Sequence, residues 1–384
     1  MSLGILFYSY IGYGMLLIGI VKLKRFFRGR KYNYYKEEEL PTVSLVIAAF
    51  NEEDYIEEKI KNSLALSYPD GKLKIVIITD GSSDRTPEIV SCYPQILLLH
   101  QSERKGKVAA MNRAAAYQEG EILVFCDANT ALNKDCIKNI ARHYADPRVG
   151  GVAGEKKVVK QGQESVAGAG EGLYWKYESL LKRLDSELHS TMGAAGELFS
   201  VRRNLFETTP EGTIIEDFVQ SLKLCSGGYI LRYEPEAYAS EGPSASIKEE
   251  LKRKVRIAAG AFQAMGLLKE LFNPFRYPIL SFQFVSHRIL RWTIAPLSLL
   301  IALITNILII ILAPEIIYNI IGVLQFLFYG AALMGWFFAS KGKIYKLLQV
   351  PYYFLIMNYA VYAGFFRFLK GKQSVLWDKA ARQR

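Results

Sequence analysis

The chain has 384 residues, 51% of them hydrophobic, and a net charge of +11. Its mean hydropathy of +0.10 indicates that part of it lies in lipid. The basic residues cluster beside apolar runs, where attraction to anionic lipid explains them, so we predict no nucleic-acid partner. The four cysteines show no CxxC pair and the four histidines no metal spacing, which argues against a zinc site.

The first element is an apolar run at residues 3–23 that is long enough to span a bilayer. The basic stretch KRFFRGRK follows it directly, at residues 24–31. A cleavable signal peptide has its basic region before the apolar run, so this order predicts an uncleaved anchor, assigned to residues 1–23. Basic residues next to a span favour the cytoplasm, and we expect the following chain to lie there.

From residue 41 onward, apolar strands alternate with segments of helical spacing. The stretches TVSLVIAAF, LKIVIITD and EILVFCDAN contain few polar residues before their ends. Such strands are buried on both faces, which predicts an α/β fold with an open, mostly parallel sheet covered by helices. Ligands bind beyond the carboxyl ends of the strands in sheets of this kind.

Polar clusters follow these three strands, and we expect them to converge on one crevice. They are Asn51-Glu52-Glu53, Asp80-Gly81-Ser82-Ser83-Asp84 and Asp127-Ala128-Asn129. Each also has a simpler explanation, because such residues are common in turns and helix caps. The third cluster has an asparagine where a second carboxylate is expected. It is either a metal site with a weakened ligand set or a turn after a buried strand.

Three further apolar runs, at residues 293–313, 316–338 and 347–366, follow the middle of the chain. Basic segments bracket the first two, as expected for a hairpin that leaves and re-enters the cytoplasm. Counting crossings puts the tail at residues 367–384 outside, whereas its basic charge argues for inside. Either one apolar segment is interfacial or re-entrant, or the charge rule fails for this tail.

Six motifs, in order and rough spacing, resemble the membrane-bound family 2 glycosyltransferases with the GT-A fold. They are SLVIAAFNEEDYIEEKIKNSLALSYP, IVIITDGSSDRT, RKGKVAAMN, FCDANT, IIEDF and KRKVRI. The resemblance covers about residues 40–265 and is greatest to bacterial polysaccharide synthases, such as those of cellulose, hyaluronan and poly-N-acetylglucosamine.

This resemblance implies a GT-A nucleotide-sugar-binding domain with a mostly parallel sheet, plus N- and C-terminal transmembrane helices. The implied division is an anchor at residues 1–23, a cytoplasmic GT-A domain at 40–265, interfacial helices at 266–292, transmembrane segments at 293–366 and a basic tail at 367–384. The implied location is the inner cell membrane, with the catalytic domain facing the cytoplasm.

The resemblance also implies roles for particular residues. The nucleotide is bordered by Ala49, Asn51 and Glu52, its base, usually uracil, is bound by Asp80, and its diphosphate faces Lys107. The metal and ribose site, for Mg²⁺ or Mn²⁺, is formed by Asp127 and Asn129. The catalytic base is Asp217, with Glu216 beside it. The QxxRW element corresponds to Arg253 and Arg256, with arginine in place of glutamine and Ile257 in place of tryptophan.

The reaction requires the same residue types independently of the resemblance. Transfer from a nucleoside diphosphate needs a base for the acceptor hydroxyl and positive charge on the departing diphosphate. Asp217 can provide the first. Arg253 and Arg256, three residues apart on one helical face, can provide the second. The alternative is that KEELKRKVRI forms a solvated or lipid-facing charged helix.

Residues 171–190 have the pattern of a long amphipathic helix. Tyr174, Trp175 and Tyr177 on it could stack on an acceptor sugar or pack against the sheet or the membrane interface. The loss of the tryptophan at Ile257 puts processive synthesis in doubt, because in processive synthases that ring lies near the acceptor.

We therefore expect an inverting hexosyl- or N-acetylhexosaminyltransferase that uses a nucleotide sugar, with a UDP-sugar as the expected donor, to extend or start a surface polysaccharide. The expected partners are the donor, a carbohydrate or lipid-linked acceptor and the bilayer; the sequence indicates no protein partner. The alternatives are transfer of a single sugar to a lipid acceptor and an inactive nucleotide-sugar-binding regulator of a synthase. A P-loop kinase or NTPase is disfavoured because the chain has no GxxxxGK[ST] motif.

Overall fold

The structure is a computed structural model. It describes residues 1–29, 34–117, 119–159, 166–242, 246–313, 315–341, 343 and 345–371, with the side chains of residues 28 and 166–174 excepted. The predicted stacking residue Tyr174 is among those exceptions, and most of the predicted basic tail, residues 372–384, lies outside the described residues.

The described residues form one eight-stranded sheet with the order β3-β2-β1-β4-β7-β6-β8-β5. The strands are β1 (Val43–Ala49), β2 (Leu73–Asp80), β3 (Ile96–Gln101), β4 (Ile122–Asp127), β5 (Ala131–Leu132), β6 (Val149–Val158), β7 (Leu198–Arg202) and β8 (Ile230–Glu241). The first four strands pair in parallel, and β7 runs antiparallel to both β4 and β6. The carboxyl ends of β1, β2 and β4 therefore meet at one edge.

The sheet forms because its central strands are almost wholly apolar and buried on both faces. Along β1, Leu45 and Ile47 pack into the core on one face, and Val46 packs into the core on the other. Continuous apolar strands need cover on both sides, and the helices provide it.

The helices alternate with the strands in the middle of the chain and dominate its two ends. They are α1 (Ser2–Phe7), α2 (Tyr13–Arg28), α3 (Ile56–Leu64), α4 (Thr86–Ser91), α5 (Lys107–Ala116), α6 (Cys136–Ala141), α7 (Val166–Leu188), α8 (Glu216–Ser226), α9 (Ile247–Leu267), α10 (Pro278–Phe284), α11 (Leu290–Trp292), α12 (Ile294–Leu312), α13 (Ile316–Ser340) and α14 (Lys346–Leu369). Two π-helical turns, Tyr8–Gly12 and Val285–Ile289, join α1 to α2 and α10 to α11.

Three helical stretches in the described part of the chain are long and apolar enough to cross a membrane: Ser2–Phe27, Ile294–Leu312 and Ile316–Ser340. The last predicted run, 347–366, lies in α14, which packs along α9 and α13. Gly364 permits the contact with α9, since a Cβ there would come within 2.5 Å of the Ala258 Cβ. The domain boundaries and the side on which the tail lies stay predictions.

Candidate active site

The loops after β1 and β2 are fastened to each other. Asn51 has a left-handed backbone, with φ of 53°, a conformation that asparagine tolerates better than most residues. Its Oδ1 accepts the Ser83 N–H at 2.8 Å, and the Glu52 N–H donates to Thr86 Oγ1 at 2.8 Å. Glu52 lines the cavity beyond these strands, whereas Ala49 is buried in the core. Asn51 therefore sets the loop shape, and Glu52 borders the cavity.

Asp80 ends β2 and is fully buried. Its Oδ2 accepts the backbone N–H groups of Lys105 at 3.0 Å and Gly106 at 2.6 Å. These bonds hold the loop that enters α5, whose first residue is Lys107. The role of Asp80 in binding a base stays a prediction, because in this structure its carboxylate is bonded to the protein backbone.

Lys107 contacts carboxylates of two elements that are distant in sequence, the end of β4 and the start of α8. Its Nζ donates to Asp127 Oδ1 at 2.7 Å and lies 3.3 Å from Glu216 Oε1. Burial lowers the pKa of Lys107, but the carboxylates of Asp127 and Glu216 outweigh burial and raise that pKa well above its ordinary value. The ammonium is therefore a permanent positive charge at the carboxyl end of β4.

Asp217 lies in the first turn of α8, beside this ammonium. Burial, together with the negative charges of Glu216 and Glu197, raises the pKa of Asp217 to about 7, although Lys107 opposes the shift. A carboxylate with a pKa near the working pH is suited to general base catalysis. Asp217 is thus a candidate base, and its catalytic role stays a prediction.

The two arginines of α9 face the same space. Arg253 pairs with Glu250, with Nη2 and Oε2 2.9 Å apart, and its Nη1 lies 3.9 Å from Glu197 Oε1. Its side chain is only 17% exposed, and both Arg253 and Arg256 line the cavity. Both arginines thus border the cleft, and their catalytic role stays a prediction. Ile257 also lines the cavity, where it offers an aliphatic surface instead of an aromatic ring.

These side chains surround a single cleft of about 430 Å³. The predicted site residues that line it are Glu52, Lys107, Asp127, Asn129, Asp217, Arg253 and Arg256. The predicted residues Ala49, Asn51 and Asp80 are not among the residues that line it. The predicted aromatic residue Trp175 also lines the cleft.

Sequence reasoning missed Glu197 and Lys156. Glu197 Oε1 accepts a hydrogen bond from Lys156 Nζ at 2.6 Å. Burial raises the pKa of Glu197, but Lys156 and Arg253 outweigh it and hold that pKa well below its ordinary value. The available signal was the small-residue run AAGE, which brings one carboxylate to the start of the apolar strand β7.

Gly196 provides the first prediction, because it leaves room at the centre of the site. A Cβ there would lie 3.1 Å from Lys107 Nζ and 3.5 Å from Asp217 Oδ2. We expect Gly196→Ala to shift these groups and slow turnover by about tenfold to a hundredfold, with unchanged thermal stability. Gly212→Ala, where a Cβ would meet nothing within 4 Å, is the matched control. Equal turnover in both variants would contradict the placement of the site.

Residues 44–209 match the family model described as glycosyl transferase family 2. Poly-beta-1,6-N-acetyl-D-glucosamine synthase from Staphylococcus aureus (strain MSSA476) is 27% identical over 257 residues, which are 63% of this chain and 60% of that protein. Beta-monoglucosyldiacylglycerol synthase from Trichormus variabilis is 29% identical over 227 residues, which are 55% of this chain and 46% of that protein. The match thus spans about half of each relative's length.

A solved structure is similar over almost the whole chain. It is the mannosyltransferase PcManGT from Pyrobaculum calidifontis in complex with GDP-Man and Mn²⁺, with a TM-score of 0.69 and 23% identity. The likeness covers 97% of this chain and 100% of that one.

These matches show the fold. It is GT-A, with a mostly parallel sheet and candidate apolar helices at the N-terminus and in the C-terminal region, as predicted from the sequence. Residues 44–209 are similar to family 2 glycosyltransferases, and the two relatives named above are a polysaccharide synthase and a glycolipid synthase.

Proposed function

We propose that this protein is an inverting glycosyltransferase that transfers a sugar from a nucleotide sugar to a polysaccharide or lipid-linked acceptor at the membrane. The observation that carries the proposal is the position of Asp217, a base with a pKa near 7, beside Lys107 and Asp127 in the arginine-lined cleft. A UDP-sugar is the donor proposed from the motif resemblance, and the cytoplasmic orientation is proposed from the basic stretch at residues 24–31.

The proposed reaction is a single displacement. The Asp217 carboxylate takes the proton of an acceptor hydroxyl, whose oxygen then bonds to the anomeric carbon. The bond from that carbon to the diphosphate oxygen breaks, and the configuration inverts. Lys107, Arg253 and Arg256 offset the negative charge that grows on the departing diphosphate.

The residues present fit a divalent cation that is shared with the donor. In this structure the Asp127 carboxylate already binds a cation, the Lys107 ammonium, and Asn129 lines the same cleft. No group of three or more His, Cys, Asp or Glu residues suited to a metal occurs in the described part of the chain. Asp127 and the Asn129 carbonyl would therefore hold Mg²⁺ or Mn²⁺ together with the donor phosphates. When bound, the cation would neutralise part of the diphosphate charge.

A second prediction tests this conditional metal site. Asn129→Asp adds one negative charge, worth about 4 kcal/mol for each unit of positive charge at 4 Å and an effective dielectric near 20, before desolvation offsets part of it. We expect this variant to bind Mn²⁺ without nucleotide at least about tenfold more tightly than the wild type, which needs nucleotide for tight binding. Calorimetric titration with and without a nucleoside diphosphate measures this difference. Identical wild-type affinities in the two conditions, or full activity in EDTA, would contradict the shared site.

Product analysis distinguishes the acceptor classes. A ladder of products supports elongation of a polysaccharide, and a single added sugar supports transfer to a lipid acceptor. The anomeric configuration of the first product, read by NMR, tests inversion: retention would overturn the single displacement. Nucleotide binding without nucleotide release under any acceptor condition would instead favour the inactive regulator.

A further inference from the structure

Lys182 is a buried charge that the proposed reaction does not use. It lies on α7, is 3% exposed and lines the cleft. In the part of the chain that the structure describes, its ammonium has no hydrogen bond or ion pair. Two aromatic rings lie near it, with Nζ 5.4 Å from the centre of Trp175 and 5.9 Å from that of Tyr233. Ring faces attract a cation but do not accept its three protons as oxygen atoms do.

The expected partner of Lys182 is engaged elsewhere. Glu178 lies four residues earlier on the same helix, a spacing at which opposite charges usually pair. Its Oε1 instead lies 2.6 Å from Arg288 Nη1, and its Oε2 lies 3.4 Å from Arg291 Nη1. The other two carboxylates that act on Lys182 are also engaged: Glu155 accepts a hydrogen bond from Ser179 at 2.6 Å, and Glu197 accepts one from Lys156 at 2.6 Å. Lys182 is therefore left facing the cleft.

Burial lowers the pKa of Lys182 and the charge of Arg288 adds to this shift, although the carboxylates of Glu178, Glu155 and Glu197 oppose it. Such a group reduces the stability of the folded chain. An anion entering the cleft would restore the lost interaction. Lys182 thus carries a buried positive charge that an anionic ligand in the cleft would balance.

Arg288 extends this positive surface. It lines the cleft along with Lys182, and these two residues are called the α7-side cationic wall. The Arg288 guanidinium, which also pairs with Glu178, lies 5.8 Å from the ring centre of Phe218, the residue after the proposed base Asp217. The proposed donor-phosphate residues instead project from α5, β4 and α9. The α7-side cationic wall therefore adjoins the base, where the acceptor must lie.

We propose that the α7-side cationic wall binds a phosphate group of the acceptor, so that the acceptor is a phosphate-linked lipid or lipid-linked glycan. This inference rests on the proposed function and narrows its acceptor class. A phosphate ester offers up to two negative charges and several acceptor oxygens, which match the Lys182 ammonium and the neighbouring Arg288 guanidinium. A neutral acceptor, such as a diacylglycerol or a free sugar chain, would offer the Lys182 ammonium no negative charge.

The binding test uses the full-length protein in nanodiscs of neutral lipid, with saturating nucleoside diphosphate and Mn²⁺ in the donor site. A short-chain polyprenyl phosphate is titrated and followed by tryptophan fluorescence, because Trp175 adjoins Lys182. We expect one phosphate site in the wild type and a loss of affinity on the order of tenfold to a hundredfold in Lys182→Met. The nucleotide affinity should be equal in both proteins, and the uncharged polyprenol should bind weakly to both.

Thermal unfolding provides a second readout that a structural lysine would not give. Lys182→Met replaces an unpaired buried charge with an apolar side chain of similar length, so its thermal midpoint should rise. Lys61→Met, on the exposed face of α3, is the matched control and should change neither the midpoint nor phosphate binding.

Four results would overturn the inference. They are unchanged phosphate affinity in Lys182→Met, a lowered midpoint with unchanged binding, an equal loss of nucleotide affinity, and equal affinity of the wild type for polyprenyl phosphate and inorganic phosphate. An equal loss of nucleotide affinity would assign Lys182 to the donor site. Equal affinity for polyprenyl phosphate and inorganic phosphate would indicate a site for free phosphate. Nucleotide binding and release are measured separately, so failure here is distinguishable from failure of the proposed function.

Discussion

Asp217→Asn should slow sugar transfer by about a hundredfold to ten-thousandfold while leaving donor binding intact. The amide keeps the shape of the side chain but cannot take the proton of the acceptor hydroxyl. Since Asp217 acts on the acceptor, the dissociation constant of the nucleotide should change little. Steady-state turnover and calorimetric nucleotide binding measure the two effects. Glu211→Gln, an exposed acid in the loop before α8, is the control.

The protonation of Asp217 should also determine how kcat/KM depends on pH. Burial raises the pKa of Asp217 to about 7, and the base works only when deprotonated. The wild-type kcat/KM should therefore rise with pH through about 7 and level off above it, and the Asn variant should lack this rise. Near wild-type turnover in Asp217→Asn, or an unchanged pH profile, would require a different base.

Arg256→Ala should depress turnover by about a hundredfold to a thousandfold and weaken donor binding much less. The charge that Arg256 meets grows as the bond to the diphosphate breaks, so its interaction is stronger in the transition state than in the bound donor. Turnover and donor dissociation constants are compared with those of Arg148→Ala, which removes a 70% exposed guanidinium paired with Asp146.

A different outcome for Arg256→Ala would assign the residue another role. Equal losses in turnover and in donor affinity would mean that Arg256 binds the ground state and the transition state alike. Loss of folding or membrane insertion without a specific kinetic defect would mean that the charged face of α9 is structural.

The sheet and the polar ends of its strands were predictable, because continuous apolar strands and the turn residues after them are local features of the sequence. The way in which the site residues come together was not predictable from the sequence. Lys107 reaches Asp127 and Glu216 only because β7 inserts beside β4 and brings the following helix α8 to the same edge. That arrangement depends on strand order, which no short window of sequence contains.

Two kinds of side chain behave differently from what their motifs suggest. Asp80 sits at the predicted strand end, yet its carboxylate is bonded to the loop before α5, a backbone contact that residue types do not reveal. Lys182 follows Glu178 at the spacing of an ordinary helical ion pair, and only the position of Arg288 and Arg291 shows why that pair is absent. In both cases, residues distant in sequence determine which contacts the side chain makes.

The most direct test of the account is nucleotide release by the purified full-length protein in nanodiscs. The protein is incubated with a panel of UDP- and GDP-sugars, an acceptor-containing lipid extract and Mg²⁺ or Mn²⁺, in parallel with Asp217→Asn. We predict that one donor gives cation-dependent, acceptor-dependent release in the wild type, and that Asp217→Asn binds the same donor without turning it over. Failure of the wild type to bind any nucleotide, or equal release by the two proteins, would contradict the central claim that this cleft transfers sugar with Asp217 as its base.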